Sequence, residues 1–379
     1  MKFIYKFKNN ESGSVTIFVL TCLLTILMIC SVYYVGVKNK ETTQYKQIES
    51  IQQEYSQKDN ADMDSEYDKV INKDVIHKGE IATGGSKKYI DSEGNTARIP
   101  EGFAVSTVDG EDLVSKGLVI IGSNGNEYVW IPCTTDTTSD KLQYKRTEWE
   151  VENDNNTRAT KDELTLMNVV PSDVEVQNGI TTNVLNEIVT QVKSEINSVK
   201  NNGGYYIGRY EVGKENSKAV IKTNQEPYAN IKWNEAYKLA KEIDTGTSAT
   251  SYLCSSYAWD TAVNFIQTHS EATNYAISRD NFNGNWYDKE VKDKNGKVIK
   301  KVNTSTRLNT GLTTSFANIF DMGGNEVEFT TELKPNTTEN IIVRGGSYYV
   351  NNCPAGYRWD DELDDTGNSY GFRSTLFLR

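Results

Sequence analysis

From Ser12 to Val37 the chain contains no Asp, Glu, Lys, Arg or His. Within that window the 23 residues Val15–Val37 read VTIFVLTCLLTILMICSVYYVGV. As a helix rising about 1.5 Å per residue they would reach roughly 34 Å, enough to cross a hydrocarbon core of about 30 Å. Tyr33 and Tyr34 near its end suit a membrane interface. A cleavable secretory signal is the competing reading, but its apolar core would be about 7–15 residues and followed by an A-x-A-like site. The expectation is a retained single-pass transmembrane helix at 14–37, behind a basic leader at 1–13.

Charge divides the chain at the same place. Lys2, Lys6, Lys8, Lys38 and Lys40 against Glu11 alone give the first 40 residues +4; the whole chain carries −11, so the rest carries −15. Flanking lysines are nearly balanced across the helix. The acidic bulk is therefore assigned outside the cell on composition, as an extracellular C-terminal domain. A polyanion would meet a surface of its own sign, so no nucleic-acid partner is expected. His77 and His269 are the only histidines, which rules out a three-imidazole metal site. Five cysteines with no CxxC write neither a zinc ribbon nor a disulfide framework.

Beyond the membrane, Tyr45, Ile48, Ile51 and Tyr55 recur at spacings of three, three and four. The pattern predicts a short amphipathic stalk, with self-association expected through 41–58 or through the membrane helix. The polar run to Lys88 reads as a linker, making 38–88 stalk and linker together. Residues 89–116 read as lead-in strands and 117–379 as one large domain. Hairpins are predicted at Glu93-Gly94-Asn95 and Asn124-Gly125, where glycine beside asparagine supplies positive φ. Residues 134–180 are polar and aperiodic and are expected to be a long surface excursion. Val184, Leu185, Ile188, Val192, Ile196 and Val199 predict one helix face ending at Asn201-Asn202-Gly203-Gly204. The run GYYIGRYEV predicts a strand. Further helices are expected through Trp233–Ile243 and over about 255–268, and a charged hairpin around Asn295-Gly296.

Several segments, in order, resemble the formylglycine-generating enzyme (sulfatase-modifying factor) family. They are Tyr128-Val129-Trp130-Ile131-Pro132, Tyr205–Val212, Pro227–Ala240 and Asp321-Met322-Gly323-Gly324-Asn325-Glu326-Val327-Glu328-Phe329. Arg344-Gly345-Gly346-Ser347-Tyr348 and Gly371-Phe372-Arg373 follow. The aspartate-led segment is close to a family pattern D-M-x-G-N-V-W-E-W. The resemblance implies an α+β, C-type-lectin-like fold rich in irregular structure. It also implies a structural Ca²⁺ at Asn325 and Glu328, against the alternative that Asn325 caps its turn and Glu328 pairs with an arginine. The family's oxidase holds copper on two cysteines five residues apart, shortly after the G-G-S motif. Counted in register, those positions are Val350 and Ala355, with Cys353 alone and out of step. No copper is expected, and only Ser347 matches a family active-site position. Separately, the start of the chain resembles pilin-like proteins processed after a glycine, here Gly13; Phe18 replaces their characteristic glutamate.

The segment Tyr348–Tyr370 mixes aromatics with Asn, Arg and Asp, a composition common at recognition surfaces. Arg344, Ser347, Tyr348, Asn351, Asn352, Arg358, Trp359, Asp360 and Asp361 are the candidate ligand-binding residues. Replacement of Arg358 and Trp359 is expected to abolish binding with little loss of stability. The function expected is a membrane-anchored bacterial surface protein whose non-catalytic domain binds a protein or glycan. The alternatives are an enzyme of the wider superfamily with an unrecognised site, or a pilin-like minor subunit.

Overall fold

The run Glu127–Pro132 has four consecutive buried residues, Tyr128 to Ile131. Successive side chains of a strand point to opposite faces, so such a strand must be covered on both sides. The computed structural model describes residues 74–149, 161–279, 284–293, 295–337, 340–351, 353–362 and 366–379. The expected leader, membrane helix and stalk lie outside the described residues. Among the described residues no helix is long and apolar enough to cross a membrane.

The chain enters through β1 (Lys87–Ile90), β2 (Thr96–Ile99), β3 (Phe103–Val105), β4 (Val119–Gly122) and β5 (Glu127–Pro132). Both expected hairpins form: Ile90 faces Thr96 and Ile121 faces Glu127, with Gly94 at φ +84 and Gly125 at φ +83. A short helix α1 (Asp173–Gln177) and a long one, α2 (Thr182–Asn202), precede β6 (Gly204–Gly208). Thr181 caps α2 by accepting from the Val184 amide, and Gly203 ends it in the left-handed conformation. Three short strands, β7 (Gly213–Glu215), β8 (Lys218–Val220) and β9 (Glu226–Pro227), form a small sheet. Helix α3 (Trp233–Ala240), strand β10 (Ala249–Leu253) and helix α4 (Ser256–His269) follow. Helix α3 stops short of the expected Ile243, whereas α4 matches its expected span, with Ser255 as its cap. The charged hairpin is β11 (Val291–Lys292) with β12 (Val298–Lys300). The tail supplies β13 (Val327–Leu333), β14 (Ile341–Arg344), β15 (Arg358–Asp361), β16 (Tyr370–Phe372) and β17 (Ser374–Leu378).

The central sheet runs β10-β17-β6-β5-β4-β3 and every pairing in it is antiparallel. One face packs Trp130, Tyr206 and Leu376 against Leu185 and Ile188 of α2 and Trp233 of α3. The other packs Ile131, Tyr205 and Phe377 against Trp259, Val263 and Ile266 of α4. The second sheet runs β15-β14-β13-β16, with β13 and β16 parallel.

Two expectations need correction. Strand β3 belongs to the central sheet, so 89–116 is not merely a lead-in: a boundary at 117 would remove an edge strand. Nor is 134–180 a surface excursion throughout, because Tyr144, Glu163, Leu166 and Ile180 are buried. Its polar residues conceal that role. Its buried carboxyls, Glu163 and Glu175, are held by Ser256 and by Ser172 and Asn340, so burial there leaves no apolar period to read.

Candidate functional site

Strand β15 sorts the expected ligand-binding residues by the two-residue period of a strand. Arg358 and Asp360 are buried on one side, while Trp359 (39% exposed) and Asp361 look the other way, into a cleft. The cleft lies on one side of the second sheet and has a volume of about 180 Å³. Val327, Val343 and Tyr370 line it from the sheet, and Ser347, Tyr349, Val350 and Cys353 from the loop after β14. Gly345 and Gly346 make that loop possible, with φ of +86 and +70. A Cβ at Gly346 would lie 2.4 Å from the Cys353 carbonyl oxygen.

Ser347 is fully buried and its Oγ has no hydrogen-bond partner among the described residues. An unsatisfied buried hydroxyl at the wall of a cleft is a group a ligand could complete. Tyr349 is 48% exposed, and the Tyr370 hydroxyl donates to the Asp361 carboxylate. Tyr348 is half-buried and Asn351 exposed, but neither lines the cleft; Asn352 lies outside the described residues. The sequence does not distinguish Tyr349 from Tyr348, because only the loop's conformation separates them.

Arg344 and Arg358 are not surface contacts. They face each other across β14 and β15, an arrangement of like charges that needs compensation. Asp260 of α4 and Glu332 of β13 supply it. Arg344 Nη2 donates to Asp260 Oδ1 (2.8 Å) and Arg358 Nη2 to Asp260 Oδ2 (2.5 Å). Arg358 Nε reaches Glu332 Oε1 (2.9 Å) and Oε2 (3.1 Å), and Arg146 Nη2 donates to Glu332 Oε1 (2.5 Å). Glu163 adjoins the group, 3.9 Å from Arg146. Burial, and then the charge of Glu332, push its carboxyl up to about 7. Asp360 is held by Lys334. Of the residues expected to bind ligand, then, Ser347, Trp359 and Asp361 line the cleft, and Asp361 already accepts from the Tyr370 hydroxyl and the Glu362 amide. Arg344 touches the cleft but is spent internally.

Asn325 and Glu328 also come to lie in one buried region, already saturated. Asn325 Oδ1 accepts from Asn285 Nδ2 (2.8 Å) and the Leu308 amide (3.0 Å), and its Nδ2 donates to Glu211 (2.6 Å). Glu328 takes Arg373 through Nη2 (2.6 Å) and Nε (3.0 Å). Among the described residues no three His, Cys, Asp or Glu side chains could together hold a metal ion. The expected pair therefore does not fit a calcium ion as arranged, because both oxygen donors are committed to protein partners. Glu326 sits where the family pattern has Val, fully buried, with neither carboxylate oxygen hydrogen-bonded; Arg307 Nε is 3.6 Å away. Burial pushes its carboxyl well up, and Glu328 is pushed up to about 7, again chiefly by burial. Cys133, Cys254 and Cys353 are all buried and none forms a disulfide.

Helices and strands mixed in this way around a cleft beside a G-G-S turn make this an α+β domain. A family model described as "Sulfatase-modifying factor enzyme 1-like domain" matches residues 175–376. The chain belongs to that family. Among solved structures it is similar to CarF, at 12% identity and a TM-score of 0.31, over 46% of this chain and 87% of that one. PvdO from Pseudomonas aeruginosa is similar at 14% identity and 0.31, over 47% and 82%. Treponema denticola variable protein 1 is similar at 15% identity and 0.26, over 66% and 84%. No curated protein matches the chain.

Proposed function

We propose that the chain is a membrane-anchored bacterial surface protein, with an extracellular C-terminal domain that binds a protein or glycan ligand without catalysing a reaction. The observation that carries the binding reading is the cleft itself. Two half-exposed aromatics, Tyr349 and Trp359, stand over a recess whose buried Ser347 hydroxyl lacks a partner. In the rest of the lining three valines, two further tyrosines and Cys353 outnumber the charged Arg344 and Asp361, which suits an inserted polypeptide side chain better than a polyol. Anchoring rests on the charge-free run Val15–Val37. The non-catalytic reading rests on Val350 and Ala355, whose side chains carry no metal-ligating atom.

A random peptide library selected on the full-length protein in detergent should yield peptides that the native chain binds. Trp359→Ala should weaken them about thirtyfold, the loss of one aromatic anchor worth about 2 kcal/mol. Peptides that bind equally well to the Trp359→Ala and Tyr349→Ala variants would remove the cleft from the reading. Copper-dependent oxygen consumption on a cysteine-containing peptide would overturn the non-catalytic assignment.

A further inference from the structure

A second recess, sharing no lining residue with the cleft, lies where the C-terminal half of α2 passes the β10 edge of the central sheet. Its volume is about 230 Å³, smaller than the pockets of roughly 300 Å³ and upward that take drug-sized molecules. Ser194, Asn197, Ser198 and Asn201 form the helical wall. Spacings of three, four and seven put them on one face of the helix. Ser194, Asn197 and Asn201 are exposed, and among the described residues their side chains have no hydrogen-bond partner. The opposite wall is Thr250 and Tyr252 of β10 with Phe377, Leu378 and Arg379. The half-buried Tyr252 ring lies 6.2 Å from that of Phe377, and Arg379 Nε donates to Thr250 Oγ1 (2.7 Å).

We infer that this recess is a binding site for one pyranose unit of a saccharide. Two free amides and a free hydroxyl offer donors and acceptors in alternation, as a ring of vicinal hydroxyls requires. A tyrosine face supplies apolar area for the C–H side of such a ring. No Asp, Glu or Lys side chain lines the recess, so its side chains do not demand a strongly charged ligand. Arg379, the one cation, can serve either a neutral sugar or a uronate. The volume limits the occupant to about one ring.

The experiment uses the full-length chain in detergent micelles, with N-acetylglucosamine, galactose and glucuronate as separate probes in saturation-transfer NMR. At least one sugar should bind with a dissociation constant of roughly 1 mM or better. Removing two hydrogen-bonding side chains, in Asn197→Ala/Asn201→Ala, should weaken it about tenfold or more. Ser194→Trp, which fills the recess from an exposed position, should abolish it. Preference for glucuronate would show Arg379 engaged with a carboxylate; equal binding of the neutral sugars would show the polyol alone recognised. No binding by any probe overturns the inference, as does binding that both recess variants leave unchanged. Binding lost in Trp359→Ala but kept in the recess variants would also overturn it, and would assign the sugar to the tail cleft. Peptide binding lost only in Trp359→Ala, beside sugar binding lost only in the recess variants, would support both sites independently.

Discussion

Replacing Arg358 by alanine removes a guanidinium whose nitrogens reach Glu332 (2.9 and 3.1 Å), Asp260 (2.5 Å) and the Thr147 carbonyl (3.0 Å). With every group ionised, Arg146, Arg344 and Arg358 balance Glu163, Asp260 and Glu332, so the deletion leaves one buried negative charge in excess. Losing one partner of a buried pair costs about 3–5 kcal/mol. Asp260 keeps Arg344 and Glu332 keeps Arg146, which places this case near the lower end, about 3 kcal/mol. The folded unit Asp74–Arg379 has about 300 residues, for which the unfolding entropy is about 0.6 kcal/mol/K. The midpoint of thermal unfolding should therefore fall by about 5 °C. Trp359→Ala, at a half-exposed position, should cost about 1 kcal/mol or about 2 °C. Scanning calorimetry at pH 8, where Glu163 is ionised, makes the comparison direct. Arg358→Lys keeps the charge but not the planar fork and should fall between the two. A loss below about 1 °C for Arg358→Ala would refute the buried network, and would return that residue to the surface role its sequence context suggests.

Glu163, pushed up to about 7 from an ordinary value of 4.5, holds a proton in the folded state that the unfolded chain releases between those limits. Stability should therefore fall as pH rises from about 4.5 through 7, and Glu163→Gln should flatten that fall, read as unfolding midpoints at pH 5 and pH 8. An unchanged slope would mean that Glu163 is ionised at low pH in the folded protein. Glu326→Val should raise the midpoint by about 2 °C, since it removes a buried carboxylate with no hydrogen-bond partner; Arg307 keeps Glu226 at 2.7 Å. A drop instead would show that Glu326 has a partner essential to the fold.

What the sequence disclosed, and what it withheld, follow from the kind of force at each place. Hairpins at Gly94 and Gly125 and helices α2 and α4 were legible because turn chemistry and apolar period are local properties. Arg358 and Trp359 could not be told apart, because adjacent strand residues differ only in which side of a sheet they meet, and neither sheet face shows in composition. Burial of Arg358 depends on Asp260 and Glu332, which are 98 and 26 positions distant. Charges that pair across such separations look like solvated surface until the chain is folded. The same reasoning separates Glu326 from Glu328. Both stand in one short motif and both are fully buried, yet an arginine hydrogen-bonds only Glu328, while Arg307 stays 3.6 Å from Glu326. The pattern D-M-x-G-N could point to the region, but it could not say which carboxylate the fold had provided for. Conversely, only the apolar face of α2 carries a periodic signal in the sequence; its polar side reads as an ordinary solvated face. Yet Ser194, Asn197 and Asn201 are where the sheet edge converts an ordinary solvated helix face into one wall of a recess. Function on such a surface is a property of juxtaposition, and no window of sequence contains both walls.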